Sequence, residues 1–187
     1  MGIFPWYEEG GPIMWHAPRW RCVLYPTDFK LRKSLKQAIR NGGFKICFDS
    51  DFEDVIAACA TIRRKGQDGT WITEEMKEAY IKLFELGHAH CLSCYRDDEL
   101  VGGLYGVQVG NVFCGESMFS HISNASKVCM AALIASFDWT FVDCQVYNDH
   151  LGSLGAVEIE REEFINTLAK QSLEREEWTN KAVNFGF

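Results

Sequence analysis

The chain has 187 residues, a formal net charge of −7 and eight cysteines, with 47% apolar and 24% charged residues. This length suits one main domain that buries roughly 70% of its extended surface, and no apolar run approaches the roughly 20 residues of a membrane-spanning helix. Met1 to Trp6 has no basic segment leading into an apolar one, so no secretory signal is read; the acidic balance speaks against indiscriminate nucleic-acid binding, and a soluble cytoplasmic protein is expected.

Residues 1–28 are rich in Trp, Pro and Gly with little periodicity, which predicts an irregular or small N-terminal element. A helix follows over about 29 to 41 and stops at Gly42-Gly43. Six basic residues and no acidic one lie between Lys30 and Lys45, five of them on this helix, and Arg63, Arg64 and Lys65 form a second short cluster. Clustered cations, not total charge, make phosphate contacts; a solvated helix face explains the same run. Alternation of Phe44, Ile46 and Phe48 predicts a strand, and the spacing of Phe52, Val55, Ile56 and Cys59 a helix to about Arg64. Gly66 to Gly69 read as a loop. Thr73 with Glu74 and Glu75 caps a helix running to Gly87.

Three strands are predicted at about 89 to 96, 100 to 109 and 112 to 119, divided by turns at Asp97-Asp98 and Gly110-Asn111, so an antiparallel meander is expected. A helix near 123 to 136, a strand at 140 to 147, a short helix at 148 to 154, a strand at 156 to 159 and a polar helix over about 161 to 177 complete the chain. The eight cysteines are scattered through a chain that does not need stapling, so free buried thiols are expected. His88, His90, Cys91 and Cys94 include a zinc-type Cys-x-x-Cys spacing. No second such pair follows and alternation puts these residues on both faces of a strand, so no metal is expected.

Two apolar runs contain polar groups that packing does not explain. Phe113-Cys114-Gly115-Glu116-Ser117-Met118-Phe119 holds one carboxylate, and Phe141-Val142-Asp143-Cys144-Gln145-Val146-Tyr147 holds a second with an amide. A buried charge costs several kcal/mol unless it is paired. Glu116 is therefore either part of a structural hydrogen-bond network or the receiver of a cation. Asp143 and Gln145, two residues apart on a strand, are expected on one side of the sheet.

The blocks Gly2-Ile3-Phe4-Pro5-Trp6, Gly69-Thr70-Trp71-Ile72, Ala79-Tyr80, Gly87-His88-Ala89-His90, Leu100 to Val107, Gly115 to Ser120, Asn124 to Lys127 and Asp143 to Val146 lie in the same order, and together resemble the bacterial leucyl/phenylalanyl-tRNA–protein transferases. The resemblance implies a GNAT-like acyltransferase fold of α+β class, with a mixed, mostly antiparallel sheet flanked by helices. The predicted order from Phe44, β-α-α-β-β-β-α-β-α-β, agrees with it. Ser120 to Lys127 contains no glycine, although a backbone cradle for the pyrophosphate of coenzyme A needs close approach; coenzyme A is not expected as the donor.

The implied activity is transfer of Leu or Phe, with Met as a further donor, from aminoacyl-tRNA to the α-amine of proteins that begin with Arg or Lys, marking them for degradation. No cofactor is expected, since charged tRNA is a co-substrate, and a monomer is expected. The resemblance assigns Asp143 and Gln145 to a proton-accepting relay and Glu116 to the positive N-terminal residue of the acceptor. Leu104, Met118, Met130, Leu133 and Val142 match the amino-acid pocket, where flexible Met suits two side-chain shapes; read without the family they are core. Trp6, Trp71 and Tyr80 match aromatics near the terminal adenosine, Asn148 matches a position near the ester or amine, and Lys30, Arg32, Lys33, Lys36 and Arg40 are the implied RNA contacts. Relatives carry a glycine-rich segment ahead of Gly2, so residues 1–28 are expected to be a remnant of a small N-terminal domain and 29–187 the catalytic domain, with tRNA affinity in question. Three other readings stay open: a related transferase with other acceptors, a non-catalytic RNA- or degron-binding protein, and a CoA-dependent N-acetyltransferase.

Overall fold

A computed structural model describes residues 2–7, 10–62, 71–171, 178, 183 and 185. The predicted Arg63-Arg64-Lys65 cluster, the Gly66 to Gly69 loop and positions 172–177 of the last predicted helix lie outside them. Two short strands, β1 (Phe4–Pro5) and β2 (Trp15–His16), form an antiparallel hairpin. Seven strands form the main sheet: β3 (Trp20–Leu24), β4 (Lys45–Phe48), β5 (Ala89–Arg96), β6 (Glu99–Val109), β7 (Val112–Ser120), β8 (Phe141–Gln145) and β9 (Val157–Glu160), in the order β4-β5-β6-β7-β8-β3-β9. Among the described residues only β7 and β8 pair in parallel; the other neighbours are antiparallel. The class is α+β, and from β4 to β9 the element order and the β5–β7 meander are as predicted.

The side-chain period of two divides the core. On one face, Cys129, Met130 and Leu133 of α4 (Ala125–Ser136) meet Leu92, Leu104, Phe113 and Val142. On the other, Val55, Ile56 and Cys59 of α2 (Phe52–Thr61) and Met76 and Tyr80 of α3 (Glu74–Glu85) meet Cys91 and Tyr105. Neighbours along β5 and β6 thus serve opposite cores. The predicted cap is present: the Thr73 side chain accepts from the Met76 N–H at 3.3 Å.

The elements at both ends of the chain differ from those expected. Residues 1–28 are not irregular throughout, because β3 is an inner strand of the main sheet, between β8 and β9. Its Arg21 and Val23 share one face and Cys22 and Leu24 the other; a charged residue in this place hides the alternation. Helix α1 (Lys33–Asn41) starts later than predicted, after an extended Arg32, so Lys30 and Arg32 precede it and Lys33, Lys36 and Arg40 ride on it. The last helix, α6 (Arg161–Ala169), reaches its C-cap at Lys170. Among the described residues no helix is long and apolar enough to cross a membrane.

Candidate active site

The parallel pairing of β7 with β8 is recorded as far as Cys114 opposite Asp143. Beyond it β7 continues to Ser120 while β8 ends at Gln145, and the residues at this fork are irregular in both strands. In β7, Tyr105 of β6 faces Ser117 and Gly106 faces Gly115, so Glu116 is an extra residue, a bulge. Gly106 makes room for it: a Cβ there would lie 2.2 Å from the Cys114 carbonyl oxygen and 2.7 Å from the Phe113 ring. In β8, Cys22 of β3 faces Gln145 and Val23 faces Asp143, which leaves Cys144 as the extra residue. Gln145 then takes φ +63°, the left-handed region.

This backbone decides where the polar groups go. The Gln145 amide donates from Nε2 to Oε2 of Glu116 at 2.9 Å, joining the two strands where their ladder has parted. Tyr80 of α3 stands beside Glu116 in the same cavity wall, close enough for the two groups to shift each other's pKa. Asp143 does something else. Its carboxylate is fully buried and gripped by the Arg21 guanidinium, Nε to Oδ1 at 2.8 Å and Nη2 to Oδ2 at 2.6 Å, and Oδ1 also accepts the Gln145 backbone N–H at 2.9 Å. The expectation that the Asp143 and Gln145 side chains share one side of the sheet fails, because the bulge at Cys144 and the left-handed Gln145 break the period of two. Alternation offered no sign of Arg21.

Glu116 has its pKa pushed up to about 7, chiefly by burial, then lowered by hydrogen bonds from Tyr80 and Gln145, raised by the Asp143 anion and lowered by Arg21. Burial, and then Glu116, push the Tyr80 phenol up. A carboxylate poised near neutrality can take up and release a proton at working pH.

Glu116 borders two cavities. The smaller, about 170 Å³, is lined by Leu104, Met118, Met130 and Val142 together with Gln145 and Asn148. A 150 Å³ apolar cavity holds benzene, so this one is of the size of a single large apolar side chain. Four of the five predicted pocket residues therefore converge on it, whereas Leu133 is fully buried in the core. Asn148 is at its rim, with Oδ1 accepting the Leu151 N–H at 2.9 Å and so capping α5 (Asp149–Leu154). The larger cavity, about 540 Å³, lies between the N-terminal segment, α3 and α6, with Tyr80 and Glu116 in its wall.

Trp6 and Trp71 line neither cavity: Trp6 is 45% exposed on the N-terminal hairpin and Trp71 packs against the α2–α3 core. Lys30, Arg32, Lys33 and Arg40 are exposed and Lys36 is half-buried, with Leu35 anchoring α1. The zinc-type residues have other partners. His90 Nδ1 meets Asp49 Oδ2 at 2.7 Å and its ring stacks on Trp178 at 4.2 Å, Cys91 donates to the Ser50 carbonyl at 3.3 Å, and Cys94 lies against Cys129. The site residues that the sequence did not single out are Arg21, Gly106 and Cys144; a glycine inside an apolar strand is the available signal for a bulge.

Residues 23–169 match the model of the family described as leucyl/phenylalanyl-tRNA protein transferase, and residues 1–19 match that family's N-terminal domain. This chain belongs to the leucyl/phenylalanyl-tRNA–protein transferase family. A leucyl/phenylalanyl-tRNA–protein transferase of Syntrophus aciditrophicus is 51% identical over 177 residues, covering 93% of this chain and 74% of that protein. The transferase of Flavobacterium psychrophilum is 50% identical over 172 residues, covering 90% and 82%, and that of Dechloromonas aromatica 47% over 189 residues, covering 98% and 81%. Residues 20–22, the first three of β3, lie between the two matched ranges.

Proposed function

We propose that this protein transfers Leu or Phe from aminoacyl-tRNA to the α-amine of proteins that begin with Arg or Lys. The observation that carries the reading is the Gln145–Glu116 hydrogen bond at the open fork of β7 and β8, beside an apolar cavity the size of one side chain. The aminoacyl ester is already activated and an α-amine has a pKa of about 7.7 to 8.0, so the protein has chiefly to hold two reactants together; correct placement supplies about 7 to 11 kcal/mol of the barrier.

The aminoacyl side chain enters the 170 Å³ cavity. The acceptor amine comes to the fork, where the Gln145 carbonyl oxygen accepts one of its N–H bonds while Nε2 stays on Glu116. The amine nitrogen attacks the ester carbonyl carbon, a C–N bond forms, and the C–O bond to the terminal ribose breaks. Glu116 accepts the proton that the amine loses and passes it to the departing ribose oxygen, which leaves as a hydroxyl and returns Glu116 to its carboxylate form. The same carboxylate faces the positive side chain of the acceptor's first residue. Lys33, Lys36 and Arg40, with Lys30 and Arg32 just ahead of α1, contact tRNA phosphates. A GNAT-like fold fits the strand order and the single parallel pair that opens at the site. Charged tRNA is a co-substrate, no cofactor takes part, and the protein works as a cytoplasmic monomer.

Coenzyme A is disfavoured by the start of α4. Its Ser126 N–H is taken by Ser120 Oγ at 3.2 Å, and a Cβ on Gly102 would lie 2.5 Å from Ala125 Cβ, so a strand fills the place where a pyrophosphate would be cradled. Leucyl- or phenylalanyl-tRNA mixed with peptides beginning with Arg, Lys, Asp or Glu tests the assignment. Transfer to Arg and Lys peptides, lost in Gln145→Ala with folding intact, is expected. Transfer to acidic termini alone would move the protein to a transferase of other acceptor choice, and no transfer at all would refute the reading.

A further inference from the structure

We propose that Arg21 is a positioning residue for the transfer reaction, acting through Asp143 on the backbone of Gln145; this rests on the function proposed above. Arg21 is 3% exposed, and its fork meets both oxygens of Asp143, at 2.8 and 2.6 Å. The remaining arm, Nη1, donates to the Gly2 carbonyl at 3.0 Å. The guanidinium carbon lies 4.6 Å from the Phe4 ring centre and 4.5 Å from that of Phe164, so the plane is stacked from two elements. Such a group can neither rotate nor be hydrated in another pose.

The consequence reaches the site along one short path. With both oxygens fixed, Asp143 Oδ1 stands 2.9 Å from the Gln145 N–H. Gln145 has φ +63°, a conformation costing a non-glycine residue roughly 1 kcal/mol or more, which persists only where its surroundings hold it. That turn points the amide at Glu116. The Asp143 carboxylate has no exposed surface and both its oxygens are engaged, by Arg21 and by the Gln145 N–H, so it acts through Gln145. A buried ion pair is a weak stabiliser compared with an apolar replacement; what this one does is set a backbone angle. Lys would keep the charge but not the fork.

Steady-state transfer by Arg21→Lys and Arg21→Ala tests the assignment, with the backbone amide resonance of Gln145 followed by NMR in each. Loss of fit at the reacting atoms costs about 100-fold in rate. Arg21→Lys is therefore expected to lower kcat by about 10- to 100-fold while changing either KM less than threefold, and to shift the Gln145 amide. In Arg21→Ala, millimolar guanidinium is expected to restore a large part of kcat, and the same concentration of tetramethylammonium none. A wild-type kcat per folded molecule in Arg21→Lys, or an unmoved Gln145 amide, would overturn the proposal. If Arg21→Ala does not fold, the lysine variant decides alone. Wild-type protein that transfers nothing would count against the proposed function, while the Gln145 amide would still report on Arg21.

Discussion

Replacing Glu116 by Gln probes the fork directly, because the two side chains have the same shape and differ in titration. The carboxyl has its pKa raised from 4.5 to about 7, first by burial. A raised carboxylate pKa means that the folded protein binds more protons than the unfolded chain between these values, so stability falls as pH rises through that window. The full shift corresponds to about 3 kcal/mol at about 1.4 kcal/mol per unit, and between pH 5 and 8 about 2 to 3 kcal/mol of it is realised. Urea unfolding of both proteins at pH 5, 6, 7 and 8 measures this. Wild type should lose that amount relative to Glu116→Gln across the series. The transfer rate should respond in the opposite sense: in wild type it rises as Glu116 ionises near pH 7, and in the variant that step is absent and only the ionisation of the acceptor amine remains. Stability profiles that run parallel from pH 5 to 8 would refute the burial argument for Glu116.

Three further outcomes follow from the geometry. Met118→Phe narrows the 170 Å³ cavity, so kcat/KM should fall more for phenylalanyl- than for leucyl-tRNA, by about 10-fold, the range that one or two methylenes command. Reversing charge on α1 with Lys33→Glu and Arg40→Glu should raise the KM for charged tRNA and flatten its dependence on log salt by roughly 0.7 to 0.9 per lost phosphate contact, with kcat at saturating tRNA unchanged. Gly106→Ala puts a Cβ 2.2 Å from the Cys114 carbonyl. It should cost about 1 to 3 kcal/mol in urea unfolding and lower kcat as well, because the bulge that aims Glu116 is disturbed.

Apolar periodicity was enough to find the elements from β4 to β9, since a strand or helix with one buried face writes its period into the chain. The Thr73 cap was legible for a similar reason: the hydrogen bond spans three residues. The site was legible as residue types on two strands, Glu116 on one and Asp143 with Gln145 on the other. Their partners were not. Arg21 and Asp143 are 122 residues apart, and nothing local in either strand names the other.

By itself, then, the sequence determined the α+β class, the apolar residues that converge on a cavity and the family to which the chain is similar. Only the tertiary structure decided that β3 enters the sheet beside β8, that β7 and β8 bulge where they part, and that Gln145 turns left-handed to meet Glu116 while Arg21 holds Asp143 behind it. The physical reason is that alternation records which face a side chain takes within its own strand. Which strands become neighbours, and where their registers slip, is set by packing and hydrogen bonding between segments far apart in the chain.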